Sequence, residues 1–365
     1  MTEQTIGSKF RLGVSASPDW RIAVDGCLLQ LLPLQPGANV GFVYVTEALS
    51  RHMPAIMRRL AEATGLPHLV AAISHSIIGG AREYVDEPAV ACMVGAVPAD
   101  SAMLFDRPNK IPTGGWFGIV HADPHVTALD ELLMDMGELS GAYLVGGLVA
   151  AREARAQWAS GLVEGGVSGI LFTQGQPIVT GLSQGCSQVG PVHTVTSADN
   201  NMVLELDGMP AYAALQDAFD VKTLRDLRRA GGGMMVALPV GGSDRPDYLV
   251  RNIMGVDPQA GALAVGALME EGDQLFFCRR DSESAGRDMD RMLADLRRRC
   301  GDATPRGGIY FSCMARSQDQ FVQNPGELDR IQAAFPGLPL IGMYCGGEIA
   351  AARMYGYTGV LSLFL

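Results

Sequence analysis

The sequence predicts an α/β protein of two domains, built from repeated β-α-β units with mixed, partly antiparallel sheets covered by helices. Three observations point there. The chain has 365 residues, 48% apolar and only 18% charged, which is material for two hydrophobic cores. Short β-rich runs alternate with segments whose apolar residues recur at helical spacing. Several segments also resemble one another, the mark of a duplicated supersecondary unit.

Taken in order, residues 10–15 read as a strand, 22–32 as a helix and 40–46 as a second strand. The next helix carries Met53, Ile56, Met57, Leu60 and Ala61 on one face. Residues 69–73 and 90–97 are further strands. In the C-terminal part, 275–278 reads as a strand, 287–300 as a helix and 308–313 as a strand. A helix then opens at Asn324-Pro325-Gly326-Glu327, with a capping residue, an early Pro and a Glu in the first turn. Strands at 338–344 and 360–365 complete the chain.

The similarity between segments is visible residue by residue. Gly65-Leu66-Pro67 and Gly337-Leu338-Pro339 each introduce an apolar strand. Ser74-His75-Ser76-Ile77 then stands where Gly346-Gly347-Glu348-Ile349 stands. A third copy, Tyr143-Leu144-Val145-Gly146-Gly147-Leu148-Val149, follows a strand at 117–120 and a helix with Leu129, Leu132, Leu133 and Met136. Strands at 169–171 and 359–361 close two of the copies and read as hairpin partners, which makes the sheets mixed. Asp207-Gly208 is a turn signal and Pro210 suits a helix start, so the expected domains are 1–207 and 208–365.

Composition excludes several classes of function. A net charge of −11 argues against nucleic acid as a partner. The basic run Arg297-Arg298-Arg299 closes a helical pattern, where it complements the helix C-terminus. Residues 1–10 carry no apolar core of a secretory signal, and no run of about 20 apolar residues exists to span a membrane. The seven cysteines (27, 92, 186, 278, 300, 313 and 345) are scattered and never form a CxxC pair. That speaks against a disulfide framework and a structural zinc, and fits a reducing cytoplasm. Residues 165–198 lack Asp, Glu, Lys and Arg but hold Gln174, Gln176, Gln184 and Gln188. Uncharged polar strands of this kind suit either a wall that hydrogen-bonds a ligand or an interior sheet.

At this point the residues resemble a known family. Gln184-Gly185-Cys186, Val189-Gly190-Pro191 and Val195-Thr196, followed by Glu205-Leu206-Asp207-Gly208 and Pro210-Ala211, look like the junction of the FIST N-terminal and C-terminal domains. Asp123-Pro124 with Gly146-Gly147 is similar to the N-terminal signature. Ser312-Cys313, Arg316, Gly342 and Gly346-Gly347-Glu348-Ile349 are similar to the end of the C-terminal domain. The resemblance implies an intracellular sensory protein for small ligands such as amino acids. It also implies a protein signalling partner that this chain does not encode.

His121-x-Asp123-x-His125 has the alternation of a metal site, but Asp123-Pro124 equally makes a helix N-cap and first turn. Cys313 ends a strand three residues before Arg316, which could lower its pKa if close. Gly346-Gly347 would let backbone approach a ligand, and Glu348 would hold a cationic group. Gly231-Gly232-Gly233 is not a GxGxxG motif, and no GxSxG, HExxH or P-loop pattern occurs. No cofactor is expected. The expected ligand site therefore comprises Cys313, Arg316, Tyr344, Gly346, Gly347 and Glu348, with Gln184 and Cys186 from the uncharged strands. Arg316 would take an anionic group and Glu348 a cationic one. The alternatives are a thiol-dependent hydrolase or transferase using Cys313, and a protein-interaction scaffold.

Overall fold

Strands that are apolar on both faces set the frame: Val40–Thr46 and Ala89–Gly95 are buried at every position. The computed structural model describes residues 8–152, 155–220, 234–240, 247–280, 282–317 and 325–365. By contacts the chain forms two compact units, Met1–Ser183 with Met289–Leu365, and Gln184–Asp288.

In the larger unit the same order of strands occurs three times, with a helix between the two central strands each time. The first module runs β1 (Arg11–Ala16), α1 (Trp20–Leu31), β2 (Val40–Thr46), α2 (Met53–Thr64), β3 (His68–Ser74), a hairpin β4 (Ser76–Gly79) and β5 (Arg82–Val85), and β6 (Ala89–Gly95). The second runs β7 (Ala102–Phe105), β8 (Phe117–Ala122), α3 (Leu129–Ser140), β9 (Tyr143–Leu148), a hairpin β10 (Ala156–Ala159) and β11 (Leu162–Glu164), and β12 (Val167–Phe172). The third opens with β13 (Ile178–Gln184) and is then interrupted in sequence by the smaller unit.

That smaller unit holds β14 (Cys186–Asp199), β15 (Met202–Leu206), β16 (Met209–Pro210), α4 (Ala211–Phe219), β17 (Met234–Pro239), β18 (Tyr248–Asp257), β19 (Ala262–Val265) and β20 (Gln274–Arg280). Among the described residues, all its strand pairings are antiparallel. β14 pairs with both β20 and β15, so these strands close into a ring, with the two-residue β16 paired to β15 alone. Leu215 and Phe219 of α4 pack with Val203, Leu263 and Phe277. This antiparallel unit differs from the β-α-β plan expected of the whole chain. The Asp207-Gly208 turn lies inside it, between β15 and β16.

The third module resumes with α5 (Ser282–Cys300), β21 (Gly307–Cys313), α6 (Met314–Ser317), α7 (Glu327–Ala334), β22 (Leu340–Cys345), a hairpin β23 (Glu348–Ala350) and β24 (Arg353–Tyr355), and β25 (Thr358–Phe364). Asn324, expected as the cap of α7, lies outside the described residues, as do Gly231-Gly232-Gly233. The helix starts at Glu327, and the Asp329 carboxylate accepts from the Gly326 amide.

In each module the two strands around the second helix are parallel: β2 with β3, β8 with β9, β21 with β22. The last strand returns antiparallel to the first of these, as β6, β12 and β25. The expectation that this last strand is a hairpin partner of its predecessor is therefore corrected. The hairpin is separate, and each module exports it to a neighbouring sheet. β4 joins β22, β10 joins β3, and β23 joins β9. The exchange runs around all three sheets and covers the outer edge of each parallel pair, which would otherwise be an unpaired edge.

Register then fixes what meets inside. The helix-facing sides carry Val43, Val120 and Tyr310, each in its own apolar cluster. One residue later, on the opposite face, stand Tyr44, His121 and Phe311, buried and in mutual ring contact. Their centroids are 5.6 Å apart for Tyr44–His121 and 6.1 Å for each pair with Phe311. The three modules thus bring one equivalent ring each to a common interior point.

Candidate functional site

Three equivalent cross-strand rows pass through those rings. In the first sheet the row is Gln157, Ala72, Tyr44, Ala91. In the sheet of β21 and β22 it is Ile77, Met343, Phe311, Val360. In the sheet of β8 and β9 it is Glu348, Gly147, His121, Ser168. Residues in one row project from the same face of a sheet. The third row alone sets a carboxylate and an imidazole together, with a glycine between them. Neighbouring strands are about 4.8 Å apart, so the Glu348 and His121 backbones lie roughly 10 Å apart. A side chain at Gly147 would collide with Cys345, whose Sγ would be 2.1 Å from the added Cβ. The Cys345 thiol therefore occupies the space over Gly147.

The row is polar and fully buried. Tyr44 OH lies 3.1 Å from His121 Nε2. Burial raises the Tyr44 pKa, so the phenol keeps its proton and can donate it to Nε2. Burial also depresses His121 to about 3, so the ring is neutral, and in the tautomer that accepts from Tyr44 its own proton is on Nδ1. Ser168 donates to Gln157 Oε1 at 2.6 Å. Glu348 accepts two bonds on Oε2, from the Thr358 amide at 3.1 Å and the Thr358 hydroxyl at 2.7 Å. Burial pushes Glu348 up to about 8 despite those bonds, so the group is mostly a neutral acid at pH 7. Among the described residues of the larger unit, two buried side-chain atoms have no hydrogen-bond partner: His121 Nδ1 and Glu348 Oε1. Both belong to this one row.

The expected site residues fall in three places. Cys313 and Cys345 are register partners at the C-terminal ends of β21 and β22, and the turn Gly346-Gly347 leads directly to Glu348. Burial, then the charge of Glu348, pushes the Cys313 thiol up to about 12. Arg316 does little to oppose this, because its charge is committed elsewhere. The Gly346 amide donates to the Leu148 carbonyl and the Gly347 carbonyl accepts from the Leu148 amide. Those backbone groups hold the exported hairpin and are not free for a ligand.

Arg316 is corrected from ligand contact to structural ion pair. It is fully buried, and its Nε donates to Glu327 Oε1 at 2.7 Å. Its Nη1 donates to the Tyr357 carbonyl and its Nη2 to Ser183 Oγ. Glu327 also accepts from Tyr310 OH at 2.8 Å and Ser312 Oγ at 2.7 Å. Burial alone would lower the Arg316 pKa, but Glu327 holds the guanidinium charged. Tyr344 packs on the same helix-facing side and donates to Glu83 Oε1 at 2.5 Å. It is therefore on the opposite face from Cys345.

Gln184 and Cys186 belong to the smaller unit. The Gln184 amide donates to Asp288, its side chain donates to the Tyr248 carbonyl, and the Tyr248 hydroxyl donates to the Cys186 carbonyl. The uncharged segment 165–198 is not one wall, because β12, β13 and β14 lie in three different sheets. Of His121, Asp123 and His125 only the last two meet, His125 Nδ1 lying 3.0 Å from Asp123 Oδ1, and no metal-binding group of three forms among the described residues. Asp123 Oδ1 accepts from the His125 amide in a turn, the His125 side chain is 62% exposed, and α3 begins only at Leu129. Tyr44 and Ser168 escaped the sequence reading, and Gly147 entered it only as part of a repeat and a family signature. The alternation His121-x-Asp123 was visible, but nothing local tells which residue faces inward.

The chain is similar to known proteins along most of its length. The model of the FIST N domain matches residues 39–209, and that of the FIST C domain matches residues 211–351. The two matches meet next to Pro210, whereas the contact units part after Ser183 and Asp288. An uncharacterised protein of Mycobacterium tuberculosis is 25% identical over 384 residues, covering 97% of this chain and 99% of its own length. An uncharacterised protein of Mycobacterium bovis is 26% identical over 329 residues, covering 82% of this chain and 83% of its own length. With both domain models matched in order across residues 39–351, the chain belongs to the FIST family.

Proposed function

We propose that this chain is an intracellular small-ligand sensor whose ligand, an amino acid or a similar nitrogen-bearing metabolite, engages Glu348 and His121. FIST domains are associated with sensory binding of small ligands in signalling. The observation that carries the finer reading is the pair of unpartnered atoms in one row, His121 Nδ1 and Glu348 Oε1. Buried polar atoms are nearly always bonded, and leaving one unpaired costs roughly 1–3 kcal/mol. Two in the same row mark a place that a ligand's polar groups would complete. An arriving ammonium group would draw the Glu348 proton off, since an adjacent cation favours the carboxylate. An amide would leave the acid protonated and accept its hydrogen bond.

The geometry favours the sensor over a thiol enzyme. Cys313 is buried and its thiol is pushed up to about 12, away from the reactive thiolate.

Thermal melts of the wild-type chain against the twenty amino acids and their amides test the proposal, followed by calorimetry on any hit. Binding should weaken at least tenfold in Glu348→Gln and in His121→Phe. Unchanged affinity in both variants, or no stabilisation by any compound, would sink the assignment.

A further inference from the structure

The three modules differ in one respect on their outer, helix-covered side. In the first, α1 precedes β2 and packs beside α2, with Val24, Cys27 and Leu28 meeting Ile56, Met57 and Leu60 in one cluster. In the third, α5 precedes β21 and packs beside α7, with Met292, Leu293 and Leu296 meeting Leu328 and Ile331. In the second, the corresponding link is residues 106–116, which holds only a short 3-10 turn, Pro108–Lys110. The second module therefore has one helix where the other two have a pair.

The paired helices share an ion pair. Arg59 of α2 donates to Asp25 of α1 at 2.7 Å, and Arg330 of α7 pairs with Asp290 of α5 at 2.5 Å. The matching position on α3 follows from equivalent landmarks. α2 and α3 both end at a left-handed glycine, Gly65 and Gly141. Thr64 donates to the Leu60 carbonyl as Ser140 donates to the Met136 carbonyl. Counting back from these, Ile56, Arg59 and Ala63 correspond to Leu132, Asp135 and Leu139. The positions that meet α1 in the first module, Ile56 and Arg59, are thus Leu132 and Asp135 in the second, and Leu139 continues the same stripe where the first module has the small, exposed Ala63. Leu132 is only half-buried, and Leu139 is 64% exposed. Asp135 has no ion-pair or hydrogen-bond partner among the described residues. Glu131 and Glu138 flank it, and α3 carries no basic residue. Ile111 of the 106–116 link packs on the adjoining cluster, and its bases Arg107 and Lys110 are paired with Asp106.

We propose that the open flank of α3 is a docking site for a basic amphipathic helix of a partner protein, which takes the place that α1 and α5 hold in the other modules. Its apolar side would cover Leu132 and Leu139. A Lys or Arg would stand where Asp25 and Asp290 stand, because Asp135 reverses the sign of Arg59 and Arg330. The module that lends His121 and Gly147 to the buried row would then be the one that signals outward.

The test uses the full chain and two helix-stapled peptides of residues 20–31. One carries the natural Asp25 and the other Asp25→Lys. Fluorescence anisotropy should show the Asp25→Lys peptide binding at least fivefold tighter. Asp135→Arg should reverse that preference, and Leu139→Glu should abolish binding of both, with circular-dichroism melts unchanged. Equal affinity of the two peptides, no binding, or binding indifferent to both variants would overturn the proposal. Light scattering is run in parallel. A concentration-dependent dimer lost in Leu139→Glu would assign the flank to a second copy and overturn the partner helix. This outcome is independent of the ligand site, whose variants lie in the interior.

Discussion

Two buried carboxylates near the ends of β21 and β22 show opposite designs. Glu327, on the helix-facing side, is saturated: a guanidinium, a phenol and a hydroxyl all donate to it. Glu348, in the interior row, has one oxygen doubly bonded and the other unpartnered. The first arrangement ties β21, α6 and α7 together and leaves nothing to offer a ligand. The second sits in an equally dry place but is left half-finished. Sequence chemistry alone ranked Arg316 and Glu348 as a matched pair, whereas hydrogen-bond accounting separates a structural clamp from a candidate site.

The contrast can be broken most severely at the clamp. Arg316→Met leaves Glu327 as a buried carboxylate without its cation, and urea unfolding should show a loss of roughly 3–5 kcal/mol. A loss below about 1 kcal/mol would mean that the pair is not structural. The row is expected to respond less, through packing. Gly147→Ala drives a methyl group into Cys345 Sγ and should cost about 1–3 kcal/mol. Adding Cys345→Ala should restore most of that, and a double variant no better than the single would remove Cys345 from the space over Gly147.

The smallest effect is the pH dependence, and its sign follows from the two groups of the row. Native Glu348 keeps its proton up to about 8, against its ordinary value of 4.5, so stability falls as pH rises between them. Native His121 has lost its proton above about 3, against an ordinary 6.5, so stability falls as pH drops from 6.5 towards 3. Each limb has a slope of about 1.4 kcal/mol per pH unit. They cancel between the two ordinary values and leave a plateau. Glu348→Gln should flatten the alkaline limb and His121→Phe the acid limb, read as differences from wild type. A variant profile parallel to the wild type on its own limb would refute the assignment.

Much of the frame was legible along the chain. The strand at 40–46 has the limits expected, because a short run of β-branched and aromatic residues suits a doubly buried strand. The similar segments beginning at Leu66, Tyr143 and Leu338 lead into or form β3, β9 and β22, which hold the same place in the three modules. The helical face expected at Met53, Ile56, Met57 and Leu60 is the buried side of α2. The smaller antiparallel unit was not legible, because its strands pair across long separations with Gly-containing turns that many folds share.

The sequence by itself determined the family, the mixed sheets and the residue types gathered at the ends of β21 and β22, since composition, periodicity and ordered motifs are local properties. Only the tertiary structure decided that Arg316 turns to Glu327, that Tyr344 lies on the other face, and that His121 shares a row with Glu348. The reason is register. A shift of one residue moves a side chain to the opposite face of a sheet. The partner across Gly147 arrives from a hairpin some 200 residues away in the chain, so no local pattern could announce it.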